Sequence, residues 1–479
     1  MNSSLRLYTV FTSSGLFGST GTYSFHHPEQ KVLTNEELLG EIGRRCEGLE
    51  FVGNTDMPKR EYVVANIRAR KRSLDGVLYF GAPPRELTEL DLPVIAIHPL
   101  WSQWQEPFDA YSGKRVLTAT LPVIPDTSPE TFSARLDGIA GKVRLLQLAV
   151  RLNTLRILCV TDVPTLGLYE PTATQMAREG REVYEQKYLA NLAALGAEII
   201  VRPQGEMVSK MQAVPETKAQ EITKQWISEA EKVKGTNEAE IRKSATLYLT
   251  MKNMMKEYCA NAVTTEGYGV FMQYPGGPIP SQGLPSSQLC TEGVVATSET
   301  LVDSLVTQQL GLWMTGFAGL NGDYVVDPEN HKAYVMHCEC PFNPHGDDRR
   351  APYIIRNLPQ WPIDRQETGG ACVQVKLPDN EGVTVAKLSV HDKKLSLFSG
   401  RTVPGEQLFP HWGDILCRTK LAINTDAEAL LENLDWATFG NHRVVFYGDH
   451  RKEFKDLATL LGYEAVEKDK KDLNIRKGG

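Results

Sequence analysis

Short apolar segments alternate with amphipathic ones through the first third of the chain. Apolar runs that fit strands cover residues 5–11, 76–80 and 92–98, and apolar residues at helical spacing cover 35–49, 59–73 and 130–152. Brief apolar strands that alternate with helices are typical of a parallel sheet with helices on both faces. The pattern predicts a doubly wound α/β domain over residues 1–152.

The same pattern begins again in the middle of the chain. Residues 155–163 predict a first strand, a helix follows as far as Leu195, and residues 197–201 predict the next strand. Residues 216–260 are mostly helical, with charged faces. We therefore expect a second doubly wound domain over residues 153–344.

The last part of the chain is richer in strands. They are predicted at residues 371–376, 383–388, 395–398 and 414–423, followed by a strand–helix–strand unit at 442–447, 452–461 and 463–466. These segments predict a smaller β-rich domain, a sheet or a barrel, over residues 345–479. The predicted fold class is thus α/β, with two doubly wound, Rossmann-like domains followed by a β-rich C-terminal domain.

The charge balance excludes some classes of partner. The chain has 479 residues with 52 Lys and Arg against 59 Asp and Glu, a formal net charge of −7. Nucleic acids and anionic membranes need a basic face, so neither is expected as a partner. No segment approaches the roughly 20 apolar residues of a membrane span, and the N-terminus lacks a signal-peptide pattern. Eight scattered cysteines are typical of reduced thiols, which favours the cytoplasm.

Common nucleotide-binding, protease and hydrolase motifs are missing from the sequence. It contains no GxGxxG after a strand, no GxxxxGK[ST], no HExxH and no GxSxG. Cys338 and Cys340, beside His337 and near His345, could form a zinc knot, but no second cysteine pair lies at structural-zinc spacing. Thiolates also select soft ions, so we expect both cysteines to be dispensable for a metal held by oxygen and nitrogen.

Two polar residues stand at predicted element boundaries. Glu299 falls at a strand-to-helix junction, in the first helical turn, where an acid could simply complement the helix dipole. His442 opens a later strand beside Gly440 and Asn441, where a histidine can be only a turn residue. Either position is ambiguous when taken alone.

A predicted hairpin places two further polar residues near each other. Residues 323–327 and 333–337 fit its strands. With a five-residue turn Asp323 faces His337, at a Cβ separation of roughly 4.5–5.5 Å that suits a shared ion. With a four-residue turn the register shifts by one and His337 points away. A surface hairpin with incidental polar residues is the alternative.

Taken together, these residues resemble the L-fucose and L-arabinose isomerases. The matching segments are VATSET with Glu299, MTGFAGLNGD with Asp323, VMHCECP with His337, and GNHRVVFYGDHRKEFKDLATLLG with His442. The spacing from Glu299 to Asp323 is also similar to that of the family's two catalytic carboxylates. The resemblance covers residues 285–345 and 435–465, and rests on architecture alone in the N-terminal third.

The resemblance implies a fucose isomerase-like fold and a metal-dependent aldose–ketose isomerase, an intramolecular oxidoreductase that works through an ene-diol. It implies that Glu299, Asp323 and His442 are metal ligands and that the two carboxylates are catalytic. His337 resembles the second histidine ligand of the arabinose isomerases. Leu301 is a departure, because the family often has an acid there. Since a neighbouring subunit closes the family's site, we expect a homotrimer or a homohexamer.

The predicted chemistry limits the metal and the substrate contacts. Two carboxylates with one or two imidazoles suit Mn²⁺, with Co²⁺, Fe²⁺ or Mg²⁺ as alternatives. A sugar also needs polar groups and an aromatic surface, for which His98, Trp101 and Gln103 are candidates beside a polar loop at 13–27. Core tryptophans and a flexible loop explain the same residues equally well.

Two rival functions are compatible with the same sequence. A non-catalytic sugar-binding protein also has two doubly wound domains, but it leaves the β-rich domain and the carboxylate–histidine set without a role. A metal-dependent sugar lyase, epimerase or hydrolase would use both, since a fold does not fix a reaction. Metal-dependent turnover would separate the enzymes from the binding protein.

Overall fold

The chain is α/β, with several parallel sheets and one β-rich mixed sheet. The computed structural model describes residues 4–11, 25–26, 29, 31–55, 60–98, 111, 113–121, 127–162, 178–266, 280–346, 348–358, 370–404 and 416–470. It divides into two compact units: Met1–Leu152 with Glu453–Glu464, and Asn153–Lys452 with Ala465–Gly479.

The first unit is built on a five-stranded parallel sheet. Its strands are β1 (Leu5–Phe11), β4 (Leu49–Thr55), β5 (Gly76–Phe80), β6 (Val94–His98) and β7 (Val116–Thr120), beside a separate pair of β2 (Phe25–His26) and β3 (Val32–Leu33). Its helices are α1 (Asn35–Arg45), α2 (Arg60–Arg70), α3 (Arg85–Thr88) and α4 (Pro129–Arg151). In the order β4-β1-β5-β6-β7, ligand sites usually lie at the carboxyl ends of the strands.

Local sequence explains most of these elements. Strands β5 and β6 are buried at every position, as strands inside a parallel sheet are. Helix α1 begins at a capping box, in which the Thr34 side chain accepts a hydrogen bond from the Glu37 backbone N and the Glu37 carboxylate accepts one from the Thr34 backbone N. The predicted end of this helix at residue 49 is wrong, because Gly48 adopts a left-handed φ of 71° and turns the chain into β4.

The second unit contains a four-stranded parallel sheet in the order β12-β11-β8-β9. Its strands are β8 (Arg156–Val160), β9 (Glu198–Arg202), β11 (Ala262–Thr265) and β12 (Ala296–Thr297). The helices of this region are α5 (Arg181–Ala194), α6 (Gln204–Gln212), α7 (Glu216–Glu229), α8 (Glu238–Glu257), α9 (Gly283–Thr291) and α10 (Val302–Thr315). The helical run predicted over 216–260 is two helices, with a short strand between them.

That short strand, β10 (Lys232–Lys234), belongs to a three-stranded sheet. It runs parallel to β15 (Tyr353–Arg356), which pairs antiparallel with β16 (Cys372–Val375). Two 3-10 turns, Lys71–Ser73 and Leu152–Thr154, complete the helical elements of the described chain. None of the described helices is both long enough and apolar enough to span a bilayer.

The largest sheet of the second unit has seven strands, six of which close into an antiparallel ring. The ring strands are β13 (Leu320–Asp327), β14 (Lys332–His337), β17 (Gly382–Ser389), β18 (Lys394–Val403), β19 (Thr419–Asn424) and β20 (His442–Tyr447), and β21 (Glu464–Glu467) joins beside β18. Helices α11 (Ala427–Glu432) and α12 (Trp436–Phe439) precede β20 in the chain, and α13 (Arg451–Leu461), most of which belongs to the first unit, follows it. Strands from both sides of residue 345 therefore share this sheet.

Candidate metal centre

Glu299 lies on a strained turn at the end of the parallel sheet of the second unit. Strand β12 ends at Thr297, and Glu299 and Thr300 follow with left-handed φ values of 66° and 52°. Two consecutive residues other than glycine in this region are unusual, and such strain concentrates at functional sites. The predicted position in the first helical turn is wrong, because α10 begins only after Leu301 and its first-turn acid is Asp303.

Asp323 and His442 come together through the strand pairing of the ring. Asp323 of β13 lies directly opposite His442 of β20 in an antiparallel ladder. The His442 Nε2 atom is 3.8 Å from the Asp323 Oδ1 atom. Residues that face each other in this way project from the same side of the sheet, so the backbone itself fixes this pair.

The β13–β14 hairpin has a four-residue turn, so the register predicted from a five-residue turn, with Asp323 opposite His337, is wrong. Asp327 pairs with Lys332, and Asp323 therefore faces Met336 instead of His337. The pairing ends there, and a Cβ atom added to Gly322 would lie only 2.5 Å from the Met336 carbonyl oxygen. Strand β14 thus lies close to β13 at this end, and His337, the residue after Met336, still reaches the site, with its Nε2 atom 3.9 Å from Glu299 Oε1.

Glu299, His337 and His442 form a group whose geometry can hold a metal ion. Their ligand atoms all lie within 4.8 Å of one another. The Glu299 carboxylate spans the two imidazoles, with Oε1 3.9 Å from His337 Nε2 and Oε2 3.6 Å from His442 Nε2. Ligands bound to one ion at about 2.0–2.2 Å are separated by roughly 3–4 Å, so a small contraction would complete the site. Both histidines are buried.

The donor set indicates the class of ion. Imidazole nitrogens together with carboxylate oxygens suit Mn²⁺, Fe²⁺, Co²⁺ and Zn²⁺ better than ions that require thiolates. Asp323 is outside the compact group, but its carboxylate lies next to His442, and 40% of its side-chain surface is exposed. Among the described residues, the group placed to hold an ion is Glu299, His337 and His442, and it contains no cysteine.

Asn441 connects Asp323 to His442 through its side-chain amide. Its Nδ2 atom donates to Asp323 Oδ1 at 2.8 Å, and its Oδ1 atom lies 2.8 Å from His442 Nδ1. Because a carboxylate only accepts, the amide oxygen must face the histidine, and His442 Nδ1 must be the donor. The lone pair of His442 is therefore on Nε2, the atom that faces the centre. In the sequence, Asn441 stands out only as a turn residue next to His442.

Glu339 is the buried carboxylate beside His337. Its Oε1 atom is 3.5 Å from His337 Nδ1 and accepts a hydrogen bond from the Ser298 backbone N at 3.1 Å. Desolvation by burial raises the pKa of the Glu339 carboxyl. Glu339 is not among the predicted site residues, and its position two residues after a candidate histidine ligand is the one signal for it in the sequence.

The two histidines have opposite electrostatic surroundings. Burial alone would lower the pKa of His337, but the carboxylates of Glu339 and Glu299 outweigh that effect and raise it. Burial, reinforced by the positive charge of Lys387 and by that of His337 when its ring is protonated, holds the pKa of His442 well below its usual range. His442 is thus kept neutral, which is the form that coordinates a metal.

Three thiols border the centre without entering it. Cys372 and Cys417 lie within hydrogen-bonding reach of the Cys338 sulfur, and they lower the pKa of Cys338. The Cys417 sulfur is also 3.8 Å from Asp323 Oδ2. The dispensability of Cys338 and Cys340 for metal binding stays a prediction.

Of the three predicted substrate-binding residues, the structure describes only His98. His98 is the last residue of β6 and is fully buried, and burial lowers its pKa to about 4. Trp101 and Gln103 lie outside the described residues. A role for these three residues in sugar binding stays a prediction.

In comparisons with known proteins, the chain matches no protein-family model and no curated protein sequence. The geometry of the centre is therefore the main support for a function.

Proposed function

We propose that this chain is a divalent-metal-dependent isomerase that interconverts an aldose and a ketose. The observation that carries the proposal is the convergence of Glu299, His337 and His442 on one point, with Asp323 beside His442. A site with two imidazoles and two carboxylates provides both metal ligands and groups that exchange protons with a sugar.

The residues of the centre have different proposed roles. Glu299, His337 and His442 would hold the ion, and Asp323 lies where it can join them on the partly exposed side. A divalent ion held there would stabilise the negative charge that develops on the sugar oxygens, while the hydrogen itself moves between the carbons C1 and C2. Of the two carboxylates, one takes the proton from C2 of the aldose and returns it to C1, while the other moves the hydroxyl proton.

The arrangement of the sheets supports the same assignment. The orders β4-β1-β5-β6-β7 and β12-β11-β8-β9 are those of doubly wound sheets, and the ring of six strands follows the second of them in the chain. This is the fucose isomerase-like arrangement that we propose, with a homotrimer or a homohexamer as the expected assembly. Light scattering at working concentration tests the assembly directly.

A substrate panel tests the proposed reaction. The full chain is stripped with a chelator, verified as metal-free by elemental analysis, and incubated with Mn²⁺ and a set of aldoses, ketoses and acid sugars in D₂O. We expect NMR to show ketose formed from one aldose with deuterium at the carbon that receives the proton. Activity should disappear in the stripped protein and return with Mn²⁺.

The same experiment distinguishes the rivals. Full activity in the verified metal-free protein contradicts the proposal. Saturable sugar binding without any product identifies a binding protein. A product that has lost water, or one inverted at a single carbon, identifies a lyase or an epimerase on the same centre.

A further inference from the structure

The buried carboxylate of Glu339 contacts two different parts of the centre. Only 6% of the residue is exposed, and it is not a member of the group that can hold the ion. A single oxygen, Oε1, lies 3.5 Å from His337 Nδ1 and accepts the Ser298 backbone N–H at 3.1 Å. Burying a carboxylate is unfavourable unless neighbouring donors compensate it, so this placement needs a reason.

We propose that Glu339 is a positioning residue that orients His337 and holds the Glu299 turn for metal binding. The inference rests on the proposed metal centre, and it adds a residue that neither contacts the ion nor takes part in the proton transfers.

The first part of the role concerns the proton of His337. Its Nε2 atom faces Glu299 Oε1 at 3.9 Å, on the side where the ion would lie, and its Nδ1 atom faces Glu339. The Oε1 atom that faces Nδ1 already acts as an acceptor towards the Ser298 N–H, and an acceptor at this position favours the tautomer with the proton on Nδ1 and the lone pair on Nε2. A carboxylate behind a metal-binding histidine also fixes the ring orientation and makes the imidazole a better donor to the metal.

The second part concerns the backbone next to Glu299. Ser298, whose N–H is held by Glu339, immediately precedes the two residues with left-handed φ values, Glu299 and Thr300. On the other side of the turn, the Thr300 backbone N donates to the Thr265 carbonyl at 3.0 Å. Strained residues persist only where the surroundings over-determine them, and these two hydrogen bonds anchor the turn at both ends.

Because one oxygen makes both contacts, two substitutions give graded effects. In Glu339→Gln an amide oxygen can still accept at that position, but the charge is lost. In Glu339→Leu neither contact survives, although the volume is similar. The matched control is Glu266→Gln, because Glu266 is equally buried, with 6% exposed, and its carboxylate accepts hydrogen bonds from Thr161 and Gln204.

The test measures Mn²⁺ affinity without sugar, from the free-ion signal in electron paramagnetic resonance, on the full-length variants. We expect Glu339→Leu to weaken Mn²⁺ binding by about 10–100-fold, Glu339→Gln to weaken it less, and Glu266→Gln to leave it unchanged. The second readout is the ¹⁵N spectrum of the histidine rings in the metal-free proteins. His337 should be protonated at Nδ1 in the wild type and should lose that preference in Glu339→Leu.

The outcomes separate this inference from the proposed function. A wild-type protein that binds no Mn²⁺ overturns the metal centre and the role of Glu339 with it. A wild-type protein that binds Mn²⁺, with equal affinity in both Glu339 variants and an unchanged His337 tautomer, overturns the role of Glu339 alone. If Glu339→Leu does not fold, Glu339→Gln decides, and an affinity equal to that of the wild type contradicts the inference.

Discussion

Asp323 and His442 lie directly opposite each other on neighbouring antiparallel strands, with Oδ1 of the carboxylate 3.8 Å from Nε2 of the imidazole. Their relation is fixed by the β13–β20 ladder and does not depend on a loop. Glu299 reaches the same point on a turn with left-handed backbone. The candidate centre thus combines one pair that the sheet holds rigidly with one residue that a strained turn presents, and the two parts can be perturbed separately.

Replacing Glu299 by glutamine separates catalysis from structure. Glu299→Gln keeps the shape and one coordinating oxygen but removes the charge and the proton-accepting carboxylate. We expect weaker metal binding and a fall in turnover of about 10²–10⁴-fold, with little change in melting temperature. Metal occupancy, melting temperature and solvent-deuterium incorporation are measured on the same sample.

The control for this change is Glu292→Gln. The Glu292 carboxylate accepts hydrogen bonds from Tyr248 and Lys252, at 2.6 and 3.0 Å, and has no contact with the centre. Its replacement should reduce stability slightly and leave the metal content and the rate unchanged. Undiminished deuterium exchange in Glu299→Gln would show that another residue is the base.

Removing the Asn441 amide should weaken the centre without removing a ligand. In Asn441→Ala, His442 loses the acceptor that holds its proton on Nδ1, and Asp323 loses a donor at 2.8 Å. Loss of such an outer partner typically costs about 10–100-fold in metal affinity, and we expect Mn²⁺ titration to show a decrease in that range. Asn433→Ala is the control, since that amide donates to the carbonyls of Lys468 and Lys470. Equal affinities in the two variants would argue against the role of Asn441.

Much of the fold was predictable because it depends on local pattern. The alternation of short apolar strands and amphipathic helices predicted β5 at its observed bounds, and β20 likewise. The end of α1 was missed because the signal is the backbone conformation of one residue, Gly48. Strand β4 was missed with it, since the predicted helix ran to the residue where that strand begins.

The details of the centre were harder to predict, because they depend on tertiary contacts. The turn between β13 and β14 has four residues because the Asp327 carboxylate accepts a hydrogen bond from the Asn330 backbone N at 3.1 Å and His331 adopts a left-handed φ of 53°. No hydrophobic pattern distinguishes four residues from five. The roles of Glu339 and Asn441 depend on the groups that surround them in space, and the sequence alone does not identify those neighbours.

The buried His98 should make the stability of the first unit depend on pH. Burial lowers its pKa from 6.5 to about 4 in the folded chain. Above pH 6.5 this histidine is neutral in both the folded and the unfolded chain, so it does not change the free energy of unfolding. As the pH falls from 6.5 towards 4, only the unfolded chain takes up the proton, and the free energy of unfolding decreases. For a pKa shift of this size, the full decrease in the free energy of unfolding is about 3 kcal/mol.

The measurement compares the wild type with His98→Asn, which does not titrate. Urea unfolding is followed at pH 7 and at pH 4.5 by hydrogen exchange in peptides that contain Val94–His98. Other groups also titrate in this range, so the informative quantity is the difference between the two proteins. We expect the wild type to lose more stability than His98→Asn, whereas identical pH dependence would contradict the assignment of a neutral, buried histidine.

The packing of α10 on the ring should make Gly311 intolerant of any side chain. A Cβ atom added to Gly311 would overlap a ring carbon of Phe446, on the strand that begins with His442. The Phe446 side chain is fully buried and has little freedom to move aside, and overpacking of this kind typically costs about 1–3 kcal/mol. We therefore expect Gly311→Ala to lower the free energy of unfolding by that amount, measured by urea denaturation.

Gly138→Ala is the matched control, because Gly138 is also inside a long helix, α4, but an added Cβ meets no atom within 4 Å. That change should stabilise the protein by roughly 0.5–1 kcal/mol, since alanine favours a helix over glycine. A stabilised Gly311→Ala would mean that α10 does not pack against Phe446 as closely as the structure shows.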